Sequence, residues 1–145
     1  MTGFLGKAPL TSDIALFLEI AIVIALLLGR FKLARKRRFA AHGYVMAFAV
    51  CLHAVSVLLV MIPSLAVSLD LLFTDFLSPA ILITWIHVPS GALTLILGAY
   101  LIIEWRFRSV SATCQRRAKL MRPLWLLWIF SLILGLTIFA SIAFF

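Results

Sequence analysis

Carboxylates are scarce in this chain: five Asp and Glu stand against 13 Lys and Arg, and they are scattered. That scatter offers no paired-carboxylate site, and three histidines with so few acids argue against a di-iron centre. H-E-x-x-H, G-x-S-x-G and a glycine-rich phosphate loop are all missing, so the sequence supplies no recognisable catalytic machinery of its own. Cysteine is nearly absent too. Cys51 falls in an apolar run and Cys114 in a basic one, which argues against a disulfide, and no C-x-x-C-H exists for covalent haem. Repeats, low-complexity tracts and domain boundaries are also lacking, so residues 1–145 read as a single membrane domain.

What the chain has in abundance is apolar length. Hydrophobic residues make up 65% and charged residues 12%, with a mean hydropathy of +1.20. A soluble core cannot hide that much apolar surface, so the partner is a lipid bilayer. A net charge of +8 would suggest nucleic acid in a soluble protein. Here the basic residues crowd beside apolar runs, where they act as topology signals and headgroup contacts, so no nucleic-acid partner is expected.

The pattern predicts an all-α, four-transmembrane-helix antiparallel bundle with spans at about 12–30, 40–63, 79–104 and 123–145. Thr11-Ser12-Asp13 offers cap-type residues for the first helix, and Pro123 suits the first turn of the fourth. Residues 64–72 extend the second span as an interfacial turn or a helical overhang. Twelve of the 13 basic residues lie in two stretches, Arg30 to Arg38 and Arg106 to Arg122. The positive-inside rule then puts these stretches in the cytoplasm and both termini outside a cell membrane.

Ionisable residues inside such spans are candidates for function. At 1.5 Å per residue, His53 lies roughly 20 Å above the inner edge and His87 about 18 Å above it. Their faces agree as well. Ala80, Thr84, His87, Gly91, Thr94 and Gly98 share one stripe of the third helix, and His42, Met46, Ala49, His53, Ser56 and Val60 share one of the second. Helix packing explains small-residue stripes by itself, but two imidazoles at one depth also offer axial ligands to haem iron. Gly91 and Gly98 would leave room beside His87 for the macrocycle. A carbonyl freed by Pro89, that of Trp85, is a candidate partner for the second nitrogen of His87.

Two further residues are secondary candidates. Glu19 lies roughly 10 Å below the outer surface, near the level of His87, as a packing residue, a proton-relay member or an imidazole partner. His42 sits within about one turn of the inner interface, where it is solvated or belongs to a second ligand site. Copper held by histidine with Met46 or Met61 is conceivable, although methionine in an apolar span is more often filler.

At Arg35-Lys-Arg-Arg-Phe-Ala-Ala-His42-Gly-Tyr-Val-Met46 the chain resembles the YozB/CtaM family of small four-span membrane proteins. The likeness continues at Ile86-His87, through the glycine-containing helix to Gly98, the basic stretch Arg116 to Arg122 and the helix with Gly135. The resemblance implies a role beside haem–copper terminal oxidases, as an assembly factor or accessory haem-binding subunit. His42 and His87 match family positions. Where the family has a histidine before the fourth helix this sequence has Arg117, and His53 is not a family position.

Together these readings predict a membrane b-type haem-binding protein with haem b held by His53 and His87 at mid-membrane, near Gly91. It would act as an assembly factor or accessory subunit of a respiratory terminal oxidase, in contact with subunits of that membrane complex. The alternatives are a non-haem structural subunit of a larger membrane complex and a small proton-conducting element using Glu19 and the histidines.

Overall fold

The computed structural model describes Phe4 and residues 9–75, 77–105 and 117–144. Four helices among them are long and apolar enough to cross a membrane: α1 (Leu10–Ala34), α2 (Phe39–Thr74), α3 (Pro79–Trp105) and α4 (Ala118–Phe144). The described residues contain no strand, so the chain is an all-α, multi-pass membrane protein. In the bundle α2 packs between α1 and α3, α3 packs on α4, and α4 returns to α1.

The helix ends differ from the sequence expectation for local reasons. α1 begins at Leu10 with Pro9 before it and no side-chain cap. Asp13 does not cap the helix; its buried carboxylate accepts the backbone N–H of Phe4 instead. α4 begins five residues before Pro123, since Leu120 and Met121 both bond back to the Arg117 carbonyl and complete a turn ahead of the proline. The extension of the second span is helical. α2 runs 36 residues, about 54 Å at 1.5 Å per residue, and so overhangs a 30 Å hydrocarbon layer. Pro63 does not break it: a widened π-helical turn at Val57–Met61 ends two residues before the proline, which falls in the first turn of the α-helical segment Ile62–Thr74, where a missing N–H is tolerated.

The core is thin and layered. Ile22, Leu26, Ala49, Val50, Trp128 and Leu132 form an apolar cluster. Next to it lies a polar layer in which Glu19, His53, Ser56, His87, Thr94 and Ser131 are all buried. Large apolar side chains such as Phe17, Leu59, Ile96 and Ile103 point outward instead, as lipid allows. Hydroxyls within α3 bond to their own helix, Ser90 to the His87 carbonyl and Thr94 to the Ser90 carbonyl. This is the local solution expected of Ser and Thr in a span.

Candidate functional site

Both predicted stripes turn inward. On α3, His87, Gly91, Thr94 and Gly98 are buried and Thr84 and Ala80 are partly so; on α2, Ala49, His53 and Ser56 are buried. The rings of His53 and His87 therefore lie in the interior of the bundle, and each has a specific partner.

His53 Nε2 lies 3.2 Å from the Gly91 carbonyl on α3. A carbonyl only accepts, so Nε2 carries the proton and donates. The ring meets the indole of Trp128 edge to face, with centroids 5.6 Å apart. His87 Nδ1 lies 3.0 Å from the Ser131 carbonyl on α4. Here Nδ1 donates and Nε2 keeps a lone pair. The partner of His87 is thus Ser131, across a helix interface, and not the Trp85 carbonyl that Pro89 would release within α3.

Gly135 explains how His87 reaches that carbonyl. It stands one turn after Ser131, and a Cβ built on it would lie 3.1 Å from His87 Cε1 and 2.6 Å from Glu19 Oε1. Without a side chain there, an imidazole from α3 and a carboxyl from α1 converge on one patch of α4. Glu19 is accordingly 7% exposed, beside His87 as the depth estimate anticipated. The Ser131-x-x-x-Gly135 spacing is the sequence signal that could have found this patch, and the sequence reading did not use it.

A haem between α2 and α3 needs an unprotonated nitrogen from each ring and a slot as wide as the macrocycle. As packed, the residues do not fit it. The Nε2 proton of His53 goes to Gly91, so α2 touches the backbone of α3 directly. A Cβ on Gly98 would lie 2.9 Å from Val50 Cγ2, and one on Gly91 would lie 3.4 Å from Ser131 Oγ. The space that these glycines open is filled by neighbouring helices. Among the described residues, no three His, Cys, Asp or Glu side chains gather as a metal site.

The open space lies at the other end of the core, where α1 and α3 end and α2 and α4 begin. A cavity of about 290 Å³ is walled there by His42, Met46, Trp105, Trp125 and Trp128, with Arg30, Arg117 and Arg122 also lining it. That is close to the lower bound of small-ligand pockets. His42 is not merely solvated. Its Nδ1 donates to the Gly29 carbonyl of α1 at 2.9 Å, which leaves Nε2 with a lone pair. The Arg30 guanidinium lies 4.5 Å from the centroid of the Trp125 ring. Arg117 is paired with Glu104, and its hydrogen bond to that carboxylate pushes the guanidinium pKa up, so it stays cationic. Cys51 is a free thiol on the outer face of α2, and Cys114, Arg106, Arg108 and Arg116 lie outside the described residues.

No family model, curated protein or solved structure matches the chain.

Proposed function

We propose that this protein is a non-catalytic accessory or assembly subunit of a respiratory terminal oxidase, seated in the cell membrane with its basic stretches cytoplasmic and both termini outside. The observation that carries the reading is structural. The two mid-membrane imidazoles each donate to a backbone carbonyl of the next helix, His53 to Gly91 and His87 to Ser131, and so tie α2, α3 and α4 together. Polar groups spent this way rigidify a bundle without performing chemistry. The likeness of the His42 and His87 segments to the YozB/CtaM pattern supplies the oxidase as partner, and the apolar overhang of α2 supplies surface for a neighbouring subunit. Tagged protein purified from membranes should carry oxidase subunits with it, and deleting its gene should lower the amount of assembled oxidase. Purification free of those subunits, with oxidase levels unchanged, would sink the reading.

One observation favours a second reading, in which haem b is held by His53 and His87. The Nδ1 of His87 is already fixed by a carbonyl, which is the arrangement that orients an axial imidazole and leaves Nε2 for iron. This reading requires α2 and α3 to separate at Gly91. A reduced-minus-oxidised haem spectrum of the purified protein, lost in both His53→Ala and His87→Ala, would establish it.

A further inference from the structure

The cavity at the Arg30 end has a one-sided polar complement. Three cations, Arg30, Arg117 and Arg122, line it against a single carboxylate, Glu104, which Arg117 already engages. The remaining polar groups of the wall are mostly donors. Trp125 Nε1 and Trp128 Nε1 are buried and have no partner among the described residues, and Trp128 is only 1% exposed. A buried donor left unbonded carries a desolvation cost, so these indoles gain from any group that brings acceptor oxygens. The rest of the lining is apolar, including Met46, Val50 and Leu124.

We propose that this cavity binds an anionic amphiphile, with a carboxylate or phosphate head set against Arg30 and Arg122 and an apolar body among the tryptophans. The cations select charge, the indole N–H groups select acceptors, and the membrane supplies the ligand. Two sources present this chemistry: a phosphate-bearing lipid and the carboxylates of a porphyrin. His42 distinguishes them, because its free Nε2 is useful to a metalloporphyrin and gives nothing to a lipid phosphate. The inference stands on the cavity alone and does not depend on the oxidase assignment.

The experiment is a titration of the full-length protein in neutral detergent, read by tryptophan emission, since three of the four tryptophans line the cavity. The probes are dodecyl phosphate, hemin and, as the uncharged control, dodecanol. Saturable binding of dodecyl phosphate or hemin, at least about tenfold tighter than dodecanol and weakened about tenfold or more in Arg30→Gln/Arg122→Gln, is expected for a site built on charge. Both arginines are exposed, and circular dichroism of that variant checks that it remains folded. His42→Ala then separates the sources. Loss of a hemin Soret shift in this variant assigns the porphyrin, whereas tight dodecyl phosphate binding that His42→Ala leaves unchanged assigns the lipid. Equal affinity for dodecanol and dodecyl phosphate together with no saturable hemin binding, or no saturable change with either anion, overturns the proposal.

Discussion

The ring of His87 and the carboxyl of Glu19 meet at a place where α4 has no side chain: both lie within about 3 Å of the position that a Cβ on Gly135 would take. Three helices are joined through that gap. It follows that Gly135 is worth more to this bundle than the helix propensity of glycine would suggest.

Gly135→Ala tests the point. In an ordinary helix interior this change stabilises by up to about 1 kcal/mol, because alanine is the better helix former. Here the added methyl falls on Glu19 Oε1 and His87 Cε1. The carboxyl can swing away, but the imidazole is held by Ser131, so a net loss of about 1–3 kcal/mol is expected. The measurement is the unfolding midpoint in detergent. Glu19→Ala should relieve the carboxyl contact, leaving that of His87, and so recover part of the loss in the double variant.

His53→Ala and His87→Ala remove a donor from a buried carbonyl and leave a void. Each should cost about 2–4 kcal/mol. His53→Gln keeps an N–H donor and should recover part of that cost. If instead the pair held haem, glutamine would fail along with alanine, and the visible spectrum would report the loss.

Gly98 on α3 and Val50 on α2 lie in close contact below the histidines, a Cβ on Gly98 falling 2.9 Å from Val50 Cγ2. Gly98→Leu should force the helices apart and lower the unfolding midpoint by an amount corresponding to about 1–3 kcal/mol. Adding Val50→Ala frees the space that the new side chain needs. A double variant no better than Gly98→Leu alone would mean that the two positions do not share this contact.

Asp13 holds the backbone N–H of Phe4 from a buried position. Asp13→Ala should therefore raise amide hydrogen exchange at Phe4 and leave exchange within α3 unchanged. Unaltered exchange at Phe4 would show that Asp13 does not protect this amide.

On the proposed orientation, alkaline phosphatase fused after the C-terminal residue should be active in a bacterial host, and a green fluorescent fusion at the same point should stay dark. The reverse pattern would invert the topology and place the Arg30 cavity on the outer side.

Much of the fold was legible because span formation is a local property. Apolar length, the inward stripe of His87, Gly91, Thr94 and Gly98, and the clustering of Lys and Arg are each carried by neighbours in the sequence. The helix ends were less legible. Asp13 looked like a cap until its carboxylate found Phe4, and the first turn of α4 closed on Arg117 ahead of Pro123.

By itself the sequence determined that four apolar helices form, which faces turn inward, and that the two mid-span histidines are buried. Which group each ring then faced was left to the tertiary structure. An imidazole bonds equally well to iron, a carboxyl or any backbone carbonyl, and the choice depends on how closely neighbouring helices approach. That approach was set by small residues on other helices: Gly91 and Gly98 let α2 and Ser131 close against α3, and Gly135 admitted His87 and Glu19 to α4. The cavity beside His42 has the same origin, since it lies where four helix ends splay around three tryptophans and no single stretch of chain encodes it.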